Sequence, residues 1–270
     1  MSIEKPLLNI VNLTKRYDEQ QVLNGINLQV NAGEFVVIIG SSGAGKSTLV
    51  RCINQLIKTT SGIIEVDGVD ITQLKGKKLR EARSSIGMIF QHHNLIERTN
   101  VLKNVLYGRL GYHSFIKTLF GRYTHQERLK ALDLLTRVGL KNDLYKKANT
   151  LSGGQMQRVG VCRAIMQASK LILADEPIAS LDPMSAAIIM KELKRLVTKD
   201  NLACIVNLHQ IHFAKAYATR IVGIKNGQIV FDGKPSLLTE ALIADIYEGN
   251  IDEVEYDKKA LFEGEFLYAT

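Results

Sequence analysis

The run Gly40-Ser41-Ser42-Gly43-Ala44-Gly45-Lys46-Ser47-Thr48 fits the pattern G-x-x-x-x-G-K-[ST]. Small residues let such a loop turn its backbone N–H groups inward around phosphate oxygens. The apolar run Phe35–Ile39 precedes the loop, and the amphipathic stretch Lys46–Ile57 follows it. A strand feeding a helix this way also sets the positive end of the helix dipole against the phosphates. Lys46 is then expected to reach the β- and γ-phosphates of a nucleotide, and the Ser47 hydroxyl to bind Mg²⁺. The chain is predicted to be a P-loop nucleotide-binding protein, a class that spans kinases, GTPases, motors and transporters.

A second constellation stands at the end of another apolar run. Leu171-Ile172-Leu173-Ala174 leads into Asp175-Glu176-Pro177. Adjacent carboxylates there are costly unless a cation or a reacting group uses them. Asp175 fits as the partner of Mg²⁺, and Glu176, directed to the other face, as the general base that polarises an attacking water. A kinase would need an acceptor pocket; a hydrolase needs only the water. A third feature, Leu151-Ser152-Gly153-Gly154-Gln155, opens a further helix, and its backbone amides form a second anion site.

The elements that must hold these groups follow from the apolar pattern. Leu7–Leu13, Ile26–Val30, Ile63–Val66, Ile86–Phe90 and Cys204–Leu208 read as strands, and Tyr123–Val138 and Gln155–Ala168 as helices. Arg220–Asp232 reads as a hairpin around Asn226-Gly227. Strands alternating with helices predict an α/β fold with a largely parallel sheet. The stretch from about residue 91 to 155 lacks a strong strand and reads as a helical insertion into a single domain over residues 1–239.

Composition excludes other classes. The 270 residues are 46% hydrophobic and 23% charged, ordinary for a globular protein. Cys52, Cys162 and Cys204 are far apart and form no CxxC pair, which fits a reducing cytosol. No apolar run is long enough to span a bilayer, and the first residues lack a signal-peptide core. The net charge of +8 is uneven: residues 240–270 hold 9 acidic and 2 basic residues, leaving +15 on the rest. This acidic stretch is expected to be a loosely docked tail, with apolar Leu242, Ile243, Ile246, Tyr247, Leu261, Phe262, Phe266 and Leu267 available for packed contacts. A basic body suits an anionic ligand, but no interleaving of basic and aromatic residues points to nucleic acid.

The loop, the Ala174-Asp175-Glu176-Pro177 segment and LSGGQ occur together, and on them the chain resembles the ATP-binding cassette (ABC) ATPase family. That resemblance implies a mainly parallel core sheet, an antiparallel β subdomain and a helical subdomain. It implies ATP and Mg²⁺ as cofactors, and a head-to-tail homodimer in which Ser152, Gly153, Gly154 and Gln155 of one subunit close over ATP on the other. It implies that Tyr17 stacks on adenine, that Gln91 touches Mg²⁺ or water, that Asp182 lies in a loop crossing the dimer interface, and that His209 contacts the γ-phosphate. One cassette with a modest insertion resembles an importer subunit. The segments Gln91–Ile96, Asn104–Gly111, Gly108–Arg122 and Asn207–Gln210 are similar to those of phosphonate-import ATP-binding subunits. The implied setting is the cytoplasmic face of the cell membrane, with integral permease subunits as partners and a periplasmic or lipid-anchored solute-binding protein acting indirectly. Importers of phosphate, phosphite or polar amino acids are the alternatives, followed by a soluble non-transport ABC ATPase acting on nucleic acid.

Overall fold

The computed structural model describes residues 5–91, 94–112 and 123–248. Strands β1 (Leu8–Tyr17) and β2 (Gln20–Val30) pair antiparallel through a tight turn, with Tyr17 opposite Gln20. They join β4 (Ser61–Val66) and β5 (Val69–Asp70) in a sheet of order β2-β1-β4-β5. The second sheet has six strands. Its central strand is β3 (Phe35–Ile39), followed in sequence by β6 (Ile86–Ile89), β7 (Leu171–Asp175), β8 (Ala203–Asn207), β9 (Arg220–Lys225) and β10 (Gln228–Gly233). The spatial order is β10-β9-β3-β8-β7-β6, parallel throughout except for the β9–β10 hairpin. The α/β class and its mixed core sheet agree with the expectation.

Alternation along β3 explains its uninterrupted apolar sequence. Val36 and Ile38 pack with the antiparallel sheet and helix α1 (Lys46–Ile53). Phe35, Val37 and Ile39 face the helical side. A strand covered on both faces has no solvent side to mark with polar residues. The helical side carries α3 (Val101–Leu106), α4 (His125–Arg137), α5 (Gly153–Met166), α6 (Pro183–Asp200) and α7 (Ile211–Tyr217). Helix α2 (Gly76–Ser84) lies at the edge and buries no residue.

Packing does not stop at residue 239. Thr239 caps a helix, α8 (Glu240–Ile246), through the N–H of Leu242. Ile243, Ile246 and Tyr247 are buried in the helical-side core. A Cβ on Gly223 would stand 2.6 Å from Ile246 Cδ1, so β9 and α8 touch closely. Lys225 pairs with Asp245 at 2.9 Å, and Asn226 donates to Glu248 at 3.1 Å. The start of the stretch expected to dock loosely is therefore core, because its apolar residues recur at helical spacing despite its acidic composition. Leu261, Phe262, Phe266 and Leu267 lie outside the described residues, as do His92, His93 and His113.

Candidate functional site

The loop of residues 40–45 leaves β3 and ends at Gly45, the N-cap of α1. Gly45 has φ +105°, a conformation that L side chains rarely adopt. Gly40 is required by proximity as well: a Cβ there would stand 2.3 Å from the carbonyl oxygen of Ile224. The hairpin tip closes the loop from outside, since the N–H of Gly227 donates to Ala44 O at 3.2 Å. The same residue accepts from the N–H of Asn24 at 2.9 Å, which ties β2 to the loop. Lys46 is buried, and its ammonium donates to the carbonyls of Gly40 at 2.6 Å and Ser41 at 2.9 Å. The backbone thus holds a positive charge at the mouth of a loop that opens a helix.

Beside it, Ser47 Oγ donates to Asp175 Oδ1 at 2.6 Å. Asp175 is buried at the end of β7. The same oxygen accepts from Asn207 Nδ2 at 3.0 Å, and Oδ2 accepts from Arg51 at 3.2 Å. Three donors therefore balance a buried carboxylate.

The next residue turns the chain. Glu176 has φ +52°, left-handed for a residue with a side chain, which costs about 1–3 kcal/mol and is typical of functional loops. Its carboxylate faces a different set of groups from that of Asp175. Glu176 Oε1 lies 2.8 Å from His209 Nε2, and Oε2 accepts from Gln91 Nε2 at 3.0 Å. The hydrogen bond with His209 is the main force holding the Glu176 carboxyl below its ordinary range. Burial opposes it, and the charges of His209, Lys46 and Arg51 assist it. Glu176 is thus an ionised carboxylate at neutral pH, with the proton affinity of a weak base.

These groups come from the carboxyl ends of adjacent strands: β3 carries the loop, β8 His209, β7 the two carboxylates and β6 Gln91. Ligands of open α/β sheets bind in this crevice. Ser152, Gly153, Gly154 and Gln155 form a second group at the start of α5. Ser152 Oγ accepts from the Gln155 N–H and Gln155 Oε1 from the Ser152 N–H, a capping box. Gly154 lies against Leu181, where a Cβ would come within 3.2 Å of the Leu181 side chain. Asp182 caps α6, accepting from the Ser185 N–H at 2.9 Å. Hydrogen bonds from Ser185 hold its carboxyl low. Tyr17 is exposed at the end of β1, its ring 4.4 Å from Lys15 Nζ. Gln91 meets Glu176 and not the Ser47–Asp175 pair.

A match to the ABC transporter family model spans residues 23–179. The chain belongs to the ABC transporter family. It is 51% identical over 242 residues to the phosphonates import ATP-binding protein PhnC 2 of Oceanobacillus iheyensis, covering 89% of this chain and 95% of that one. It is 47% identical over 247 residues to the phosphonates import ATP-binding protein PhnC of Lactobacillus acidophilus, covering 91% and 96%. Among solved structures it resembles a dimeric ATP-binding cassette in a post-hydrolysis state bound to ADP and phosphate. That match has a TM-score of 0.76 and 33% identity, over 84% of this chain and 98% of that one. It also resembles CbiO1 of Clostridium perfringens, part of an ABC transporter complex, at TM-score 0.75 and 28% identity over 95% and 100%. The ABC fold makes the crevice an ATP site. Among the described residues no helix is long and apolar enough to cross a membrane.

Sequence reasoning singled out Asp175 but not Arg51 or Gln157. Arg51 lies one turn beyond the phosphate loop and reaches Asp175 only because α1 runs beside β7. Gln157 Nε2 donates to Pro177 O at 2.9 Å, linking the signature helix to the Glu176 loop. Its polarity on a buried helix face was the available signal.

Proposed function

We propose that the chain is the ATP-hydrolysing subunit of an importer that carries phosphonates across the cytoplasmic membrane. It works there as a homodimer, peripheral on the cytoplasmic face and bound to integral permease subunits that a solute-binding protein supplies. The observation that carries the hydrolytic reading is the placement of Glu176. Its ionised carboxylate sits between His209 and Gln91, on the residue that follows the Asp175 of the Ser47–Asp175 pair. The phosphonate reading rests on the names of relatives 47–51% identical over most of the chain.

Lys46 and the loop amides bind the β- and γ-phosphates, Tyr17 supplies a ring face for adenine, and Gly40–Thr48 fix the phosphate chain against α1. A hydroxyl and one carboxylate, both hard oxygen donors 2.6 Å apart, fit Mg²⁺, which is usually held by few protein ligands and the substrate phosphates. Ser47 and Asp175 would hold it, with Gln91 close to the attacking water, and the ion would neutralise charge on the phosphate oxygens. Glu176 accepts the proton of that water. His209 orients Glu176 and stands ready to donate to the γ-phosphate. Ser152–Gln155 of the second subunit complete the site from the other side, with Asp182 at the interface.

The test is ATP turnover by the assembled transporter in proteoliposomes, with methylphosphonate, inorganic phosphate, phosphite or a polar amino acid offered through the solute-binding protein. Stimulation by methylphosphonate above the others is expected. Stimulation by phosphate or an amino acid alone would overturn the substrate reading.

A further inference from the structure

Asn207 ends β8 and is fully buried, with Asp175 as its register partner on β7 and Ile38 on β3. The four residues before it, Ala203-Cys204-Ile205-Val206, are apolar and buried, as an interior parallel strand requires. A primary amide in the next position is therefore unusual. Its Nδ2 donates to Asp175 Oδ1 at 3.0 Å. That orientation is dictated by charge, because turning the amide over would set its carbonyl oxygen against a carboxylate oxygen. The consequence is a stranded acceptor: Asn207 Oδ1 is buried and has no hydrogen-bond partner among the described residues. A buried polar atom left unsatisfied costs about 1–3 kcal/mol, which a leucine in the same place would avoid. An amide kept at such a cost beside Asp175 points to a donor that belongs to the working site.

We propose that Asn207 is a positioning residue for the cation. Its amide N–H locks the Asp175 carboxylate in the rotamer that shares Oδ1 with Ser47, and its Oδ1 accepts from a water beside that carboxylate. A hydrated cation brings such waters, since Mg²⁺ gives up its shell reluctantly and usually keeps several. Groups that hydrogen-bond to a metal-bound carboxylate set its direction and tune affinity, and their loss typically weakens metal binding 10- to 100-fold. Asn207 differs from Ser47 and Asp175 in touching neither phosphate nor metal. It differs from Arg51, which approaches the other oxygen, Oδ2, with a half-exposed side chain. The inference rests on the Mg²⁺ reading of the Ser47–Asp175 pair.

The experiment uses the full chain with ATP. Binding of Mn²⁺ is followed by electron paramagnetic resonance with Mg²⁺ as competitor, and metal-free affinity is measured with a fluorescent ATP analogue. In Asn207→Leu, similar in volume, and in Asn207→Ser, whose hydroxyl is too short to span to Asp175, metal affinity is expected to fall about tenfold or more. Metal-free ATP affinity is expected to stay within about twofold, since Lys46 and the loop are untouched. Unchanged metal affinity in both variants, with a normal melting transition, would overturn the role of Asn207. The control is Asp175→Asn. If it leaves metal binding intact, the Mg²⁺ reading of the pair falls first and takes this inference with it. If it abolishes metal binding while both Asn207 variants behave as wild type, only the inference fails.

Discussion

Glu176 and His209, 33 residues apart in the chain, meet at 2.8 Å between Oε1 and Nε2. Gln91 approaches the second oxygen of the same carboxylate at 3.0 Å. One carboxylate is thus gripped from two loops that follow different strands, and its direction is set before any water arrives.

If Glu176 is the base, Glu176→Gln retains ATP binding and loses about 10²–10⁴ in turnover. Closure of the two subunits survives, so an ATP-bound dimer accumulates. Size-exclusion chromatography with ATP and Mg²⁺ alongside a phosphate-release assay checks both halves. Near-normal turnover would remove Glu176 from the role.

The pH dependence has a definite sign. The Glu176 carboxyl is held low chiefly by the hydrogen bond with His209. Its ionised form, and the stability that form contributes, is present above the ordinary glutamate range and is lost as pH falls through the depressed folded value. His209→Ala removes the main cause and leaves burial to act unopposed by it, so the acid limb of residual turnover is expected to move to higher pH. A limb that stays in place, or moves to lower pH, contradicts the coupling.

Lys46→Ala acts on binding. It deletes the charged donor at the loop mouth, and a hydrogen bond to a charged group is worth about 1.5–3 kcal/mol, or roughly 10- to 100-fold in affinity. Equilibrium titration with a fluorescent ATP analogue measures the loss. An affinity equal to wild type would mean that the loop amides bind alone.

Ser152→Arg is expected to leave ATP binding to each subunit intact and to block dimer closure, because a long side chain replaces a small one where the second subunit's nucleotide must approach. Losing the cap itself would cost only about 1 kcal/mol. Wild-type turnover is then expected to rise more steeply than protein concentration at high dilution, and the variant to stay inactive throughout. Turnover strictly proportional to concentration by a monomer would contradict the composite site.

Two truncations separate the packed helix α8 from the residues C-terminal to it. Ending the chain after Glu248 keeps Ile243, Ile246 and Tyr247 in the core, and the melting temperature is expected to hold. Ending it after Thr239 removes all three, each worth about 1.5–3 kcal/mol of burial, so the fold is expected to lose several kcal/mol. Equal melting curves for the two truncations would refute the packing argument.

Much of the frame was legible because its signals are local. The loop, the strand before it and the Asn226-Gly227 hairpin each declare themselves within a few residues, and β3 and the hairpin strands stand where the pattern placed them. Strands β1 and β2 run longer than their apolar cores because their polar ends, Tyr17 and Gln20 among them, continue the ladder while exposed. Helix α2 was invisible to periodicity because it buries nothing. The convergence of Arg51 and Asn207 on Asp175 could not be read at all. They lie 124 and 32 residues from it in sequence, and only the strand order makes them neighbours. Tyr247 was legible as an apolar contact, but the acidic composition around it masked how fully it is buried.

The strand order also sets a timetable for synthesis. β3 and its loop emerge early, yet their flanking strands are β8 and β9, and the loop is sealed by Ile224 and Gly227. Between Gly45 and Gly227 a ribosome adding roughly 5–20 residues per second needs on the order of 10–40 s. Until residues 203–207 are made, the glycine-rich loop hangs from a strand with neither neighbour in place, and Gly227 follows only after both. An unfinished chain therefore carries its phosphate loop before the residues that seal it, and a chain cut short before the hairpin lacks both the Ile224 wall against Gly40 and the Gly227 bond to Ala44.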